Sequence, residues 1–147
     1  HLLHEVITKN ITNIKPIAGK HGDTAYLKYE GKIKPQLKKE LQEKANKKIE
    51  EDIRDKYKQV TYEELVKKCP HVPKNLPKNK PLRMLQIGDY PPMPDGGVHI
   101  NSTKEIGKLN ITKMEVGNNQ TTVFYIIKKW SIQKIIIVIH SFVLLII

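Results

Sequence analysis

Residues 107–128 read GKLNITKMEVGNNQTTVFYIIK. Two runs rich in β-branched and aromatic residues, Gly107 to Glu115 and Thr121 to Lys128, flank Gly117-Asn118-Asn119, residue types that readily enter the left-handed backbone of a tight turn. The stretch therefore predicts an antiparallel hairpin. Outward from it, Tyr90 to Gly97 is dense in Pro and Gly and predicts a turn that delivers the chain to His99. Leu82 to Gly88 predicts a buried strand, and the four prolines within Pro70 to Pro81 exclude regular structure there. Thr61 and the glutamates after it mark the start of a short helix from Tyr62 to Lys68, preceded by a strand near Lys58 to Thr61. From Pro35 to about Tyr57, the apolar residues Leu37, Leu41, Ala45, Ile49, Ile53 and Tyr57 recur every fourth position and predict one long helix. Thr24 to Glu30 alternates as a half-buried strand ended by Gly31, Lys15 to Asp23 reads as loop, and His1 to Lys9 reads as the end of a helix. The pattern is α+β, an antiparallel β-sheet packed with helices.

At 147 residues the chain suits one domain. Its net charge of +11 favours an anionic partner such as nucleic acid, because each Lys or Arg that neutralises a phosphate releases a counterion. On the long helix, Lys38, Lys39, Lys44, Lys47 and Lys48 alternate with Glu40, Glu43, Glu50 and Glu51, which reads as a solvated, ion-paired face. Cys69 is the one cysteine, so no internal disulfide forms and a cytoplasmic location is expected. Cys69-Pro70-His71 reads as loop with no partner motif. The sequons at Asn10, Asn101, Asn110 and Asn119 are the chance yield of an Asn-rich chain. The chain opens at His1 without an initiator Met, which suggests a longer natural amino terminus. Ile135 to Ile147 is almost wholly apolar and follows Lys128, Lys129, Trp130 and Lys134; it superficially resembles a tail anchor but is short against the roughly 20 residues a span needs. The expected division is residues 1–128 as one domain and 129–147 as a hydrophobic tail.

Histidines and acids suggest a metal site. His1 and His4 lie at one end of the chain, and Asp95-Gly96-Gly97-Val98-His99 places two ligands four residues apart around a flexible Gly-Gly step. Several pieces then fall in a familiar order. His1-Leu2-Leu3-His4 resembles the second half of a helical H-x-x-x-H-L-L-H motif, Asp95 to His99 resembles C-G-G-T-H, and Thr103-Lys104-Glu105-Ile106-Gly107 resembles T-G-E-I-G. His21-Gly22-Asp23, the strand Tyr26 to Gly31 and the pair Ala45-Asn46 also match. Together they resemble the second additional domain of alanyl- and threonyl-tRNA synthetases and its freestanding alanyl-tRNA editing relatives, from His1 to about Lys128.

The resemblance implies a zinc-dependent hydrolase that deacylates mischarged tRNA, Ser- or Gly-tRNA of the alanine type. An apolar pocket for alanine rejects an added hydroxyl by only a few kcal/mol, so a second sieve is needed. Carried over by position, the zinc ligands fall on His1, Asp95 and His99, with a further histidine four residues before the present start. Asp95 stands where the family has Cys, and Val98 where it has Thr. A carboxylate is a harder ligand that zinc accepts. The expected accessory residues are His4, to position water or carry a proton, and Arg83, Gly96, Gly97 and Thr103 on the tRNA side. Two rival readings stand beside this one: a tRNA- or RNA-binding module without catalysis on the same fold, and an adaptor tethered to a membrane by Ile135 to Ile147.

Overall fold

The computed structural model describes residues 1–97 and 99–129. Val98 and the apolar segment from Trp130 to Ile147, with the anchor reading attached to it, lie outside the described residues. Among the described residues, three helices and two antiparallel sheets give the α+β architecture read from the sequence. The helices are α1 (Leu2–Asn10), α2 (Lys38–Glu50) and α3 (Tyr62–Lys68). The strands are β1 (Lys15–Lys20), β2 (Tyr26–Glu30), β3 (Asp55–Val60), β4 (Leu82–Ile87), β5 (Met93–Pro94), β6 (Lys108–Gly117) and β7 (Gln120–Lys128). One sheet has the order β1-β2-β7-β6 and the other β3-β4-β5.

The β6–β7 hairpin forms one side of the larger sheet, with β7 internal and β6 at the edge. Asn118 and Asn119 both take positive φ, 49° and 55°, which is the conformation a two-residue turn between twisted strands requires. Lys15 to Lys20, read from its Pro and Gly content as loop, is instead a strand. It lies at the sheet edge and bulges between Pro16 and Ala18, where a missing N–H at Pro16 and a lost side chain at Gly19 are tolerated.

The long helix also needs correction. A short 3-10 turn over Pro35–Leu37 leads into α2, which stops at Glu50, and Asp52 turns the chain through a left-handed conformation (φ 54°). Ile53 and Tyr57 keep the four-residue spacing but sit beyond the helix, Tyr57 in β3. Their spacing suits a helix and an extended strand alike over so short a stretch, and pairing of β3 with β4 decides the matter.

The principal core lies between α1, α2 and the sheets. Val6, Ile7, Leu41, Ala45, Ile49, Tyr29, Ile111, Val123 and Leu85 are all buried there. β6 is an edge strand whose free groups would invite pairing, and α2 covers them with side chains. Asn46 donates from Nδ2 to the Leu109 carbonyl (2.8 Å) and accepts the Leu109 N–H at Oδ1 (2.9 Å), imitating a neighbouring strand. Gln42 accepts the Ile111 N–H at 2.8 Å, and Lys38 donates to the Thr112 carbonyl. The opposite face of α2 carries Lys39–Glu43, Lys44–Glu40 and Lys48–Glu51 pairs, the solvated, ion-paired surface expected there, whereas Lys38, expected on that face, turns to β6 instead.

A second, smaller core gathers Val60, Leu65, Cys69 and Leu82 under the proline-rich loop. Thr61 and Glu64 form a reciprocal capping box at the start of α3, the device the sequence signalled. Cys69 is buried at the end of α3, and burial pushes its thiol up from its ordinary pKa, so it is an inert packing residue. Among the described residues no helix is long and apolar enough to cross a membrane.

Candidate metal centre

Two segments far apart in sequence converge on one point. His1 stands at the N-cap of α1, Asp95 follows β5, and His99 lies four residues further on. The Asp95 N–H donates to the Arg83 carbonyl at 3.0 Å, which extends the β4–β5 ladder and fixes the carboxylate's origin. Its Oδ1 lies 3.3 Å from His1 Nε2, and its Oδ2 lies 3.2 Å from His99 Nε2. The two imidazole rings face each other with centroids 5.2 Å apart. One ligand atom from each of the three residues falls within 4.8 Å of the others, so the group is able to hold a metal ion.

This cluster forms the polar end of a cavity of about 540 Å3. Leu3, Leu27, Ile87, Ile106 and Leu109 supply apolar wall, while His21 and Asp55 join the polar end. The size falls within the range of small-ligand pockets. His21 sits with its ring centroid 6.1 Å from that of His1, and its Nδ1 is 3.3 Å from the Tyr125 hydroxyl. Burial lowers its pKa.

Asp55 is the residue the sequence reading missed. Its side chain is 2 % exposed, its Oδ2 lies 3.5 Å from His99 Nδ1, and its Oδ1 has no hydrogen-bond partner. Burial pushes its carboxyl above the ordinary range, and His99 opposes that shift. The signal was obscured because the four-residue periodicity drew the start of β3 into the long helix. Tyr57, in the same strand, packs edge-on against His99 (6.0 Å between centroids) and donates its hydroxyl to the Ile100 carbonyl.

The remaining expected site residues are distributed differently. Arg83 was expected at phosphates; here its Nη2 donates to Asp95 Oδ2 at 2.7 Å and to the Gly97 carbonyl, and its guanidinium lies over the Tyr57 ring. It is engaged in shaping the Asp95 turn. Gly97 N–H donates to Asp95 Oδ1 at 3.3 Å, and a side chain at Gly96 would meet open space, so this turn leaves the site unscreened.

Thr103 lines the cavity, but its hydroxyl is spent inside the protein. It donates to the Lys48 carbonyl at 3.0 Å and accepts the Ile53 N–H at 2.9 Å, closing the end of α2. Thr121 plays the same part elsewhere, between the Gly31 carbonyl and the Ile33 N–H.

His4 does not reach the cavity shared by His1, Asp95 and His99. It borders a separate cleft with Glu5, Lys9, His71 and Tyr90, and its Nδ1 is 3.0 Å from the Tyr29 hydroxyl, ring stacked on ring. Burial lowers its pKa to about 4, and burial raises that of Tyr29, so Tyr29 donates and neutral His4 accepts. The chain matches no family model and no curated protein.

Proposed function

We propose that the protein is a zinc-dependent hydrolase that acts in the cytoplasm on the ester of mischarged tRNA, releasing serine or glycine from tRNA of the alanine type. The observation that carries this reading is the convergence of His1, Asp95 and His99 at one end of a largely apolar cavity. Their contacts of 3.2 and 3.3 Å are long for charge-assisted hydrogen bonds. They run to different oxygens of Asp95, so the carboxylate lies between the two imidazoles, and one ligand atom from each residue comes within 4.8 Å of the others. The donor set fits as well: two imidazoles and one carboxylate leave a fourth position open, as catalytic zinc sites do. The resemblance of the chain's motifs to those of the alanyl-tRNA editing family supplies the substrate class.

His1, Asp95 and His99 would hold the cation, which supplies Lewis acidity toward a carbonyl or a bound water. The protein's own part is positional. Arg83 fixes the Asp95 carboxylate through Oδ2, leaving Oδ1 directed toward His1. Leu3, Leu27 and Leu109 exclude bulk water from the wall of the cavity, which strengthens electrostatic contacts inside it. The open turn at Gly96 and Gly97 gives the acceptor end of a tRNA access, and the net charge of +11 favours its phosphates.

A second reading, a tRNA-binding module without catalysis, is favoured by one observation: Arg83 already neutralises Asp95 at 2.7 Å. Deacylation of alanine tRNA charged with Ser, Gly or Ala separates the two. Ser and Gly should be released, Ala spared, release abolished by chelator and restored by zinc. Asp95→Ala should lose zinc affinity by more than the roughly 10–100-fold that removal of an outer partner costs. Tight tRNA binding with no zinc uptake and no release would establish the binding module and refute the hydrolase.

A further inference from the structure

We infer that Asp55 is the positioning residue of the metal centre, holding His99 through Nδ1 so that Nε2 is presented to the cation. This rests on the metal reading above. His99 has a carboxylate at each ring nitrogen: Asp55 Oδ2 at 3.5 Å from Nδ1, and Asp95 Oδ2 at 3.2 Å from Nε2. A neutral imidazole carries a single N–H. With that hydrogen on Nδ1, aimed at Asp55, the Nε2 lone pair is left facing Asp95, an acceptor opposite an acceptor that a cation reconciles. Asp55 thereby selects the tautomer suited to ligation, the arrangement in which a carboxylate orients a metal-binding histidine from behind.

The placement of Asp55 supports this role independently of the ligand set. Its backbone is held at both sides, by its pairing with Ile87 in β4 and by donation of its N–H to the Asn101 carbonyl at 3.0 Å. Its side chain is 2 % exposed. Burying a carboxylate is costly, and here Oδ1 gains no hydrogen bond in return, alone among buried side-chain polar atoms of the described residues. A group serving only the fold would be satisfied by it or replaced by an apolar one. Among the described residues, the one basic side chain in an ion pair with Asp55 is His99. Ring contact from Tyr57 holds His99 on a further side, so the imidazole rotates little once Nδ1 is engaged.

The test uses the full chain and zinc alone, by competition with a chromophoric chelator, comparing wild type, Asp55→Asn and Asp55→Ala, with melting temperatures recorded without and with zinc. Asp55→Ala should weaken zinc binding about 10–100-fold. Asp55→Asn keeps an oxygen acceptor for Nδ1–H and should recover part of that loss. Neither variant should melt below wild type without metal, since each removes a buried charge, whereas the rise in melting temperature on adding zinc should shrink. Equal zinc affinity in all three proteins overturns the inference and leaves the metal reading standing. Lower metal-free melting of both variants with unchanged zinc affinity also overturns it, by assigning Asp55 to the fold. Failure of the wild type to bind zinc overturns both readings, and zinc binding that depends on Asp55 without any deacylation sinks only the hydrolase.

Discussion

Replacing Thr103 with Val tests whether this residue serves the fold or the ligand. Thr103 is 1 % exposed, and Val preserves its shape while deleting the hydroxyl. The Ile53 N–H, which donates to Oγ1 at 2.9 Å, then loses its partner, and the Lys48 carbonyl at 3.0 Å and the Ile49 carbonyl at 3.3 Å lose the hydroxyl hydrogen they share. A donor left unsatisfied in the interior costs about 1–3 kcal/mol, and the lost hydroxyl bond to the carbonyls adds ~1 kcal/mol. The sum is about 2–4 kcal/mol, equivalent to a fall in melting temperature of roughly 6–15 °C for a domain of this size. Thr103→Ser keeps the hydroxyl and loses one methyl, which costs about 1 kcal/mol. The assay is thermal or urea unfolding of both variants, with zinc affinity measured on the folded proteins. Zinc affinity should not change. If Thr103→Val melts within about 2 °C of wild type, less than one hydrogen bond is worth, the clasp argument is refuted. If it melts normally yet loses deacylation, Thr103 belongs to the ligand site after all.

Two further outcomes follow from other parts of the fold. His4 has a folded pKa lowered by burial to about 4, against about 6.5 when unfolded, so the unfolded chain takes up this proton first as the solution is acidified. Its contribution to stability is therefore complete above about pH 6.5 and lost toward pH 4, at most about 3 kcal/mol before solvent screening. Burial raises the pKa of neighbouring Glu5, which acts in the opposite sense, so the comparison is with His4→Gln: the variant should show a flatter melting curve across this window, and an identical slope would remove the argument. At Gly107 the backbone φ is +87° and a Cβ would stand 2.4 Å from the Lys128 carbonyl oxygen. Gly107→Ala should destabilise by about 1–3 kcal/mol from backbone strain alone, with the clash adding to it; chemical denaturation measures this, and a neutral result would mean that β7 shifts freely.

The candidate site was legible to different depths. Asp95 and His99 drew attention by their spacing around a Gly-Gly step, while their expected role as ligands together with His1 came from the resemblance to the editing-family motifs. Their meeting depended on how α1 docks beside the β4–β5 ladder, which no local pattern specifies. Asp55 was hidden for a related reason. A four-residue apolar spacing through Ile49, Ile53 and Tyr57 is compatible with helix or with strand, and the choice was made by β4, whose residues hydrogen-bond with β3. Arg83 looked like a phosphate ligand because sequence shows its charge and not its partner. Its salt bridge to Asp95 arises from a turn closed twelve residues later.

By itself the sequence determined the elements whose causes are local: the Asn118-Asn119 turn, the Thr61–Glu64 capping box, the proline-broken loop and the ion-paired face of α2. Each depends on interactions between residues a few positions apart, which the order of side chains already contains. Tertiary structure alone decided the edge strand β1, the end of α2 and the assignment of each polar group to fold or site. Those outcomes depend on backbone hydrogen bonds and buried charges between segments distant in the chain, and such terms acquire a value only when packing has removed the water between them.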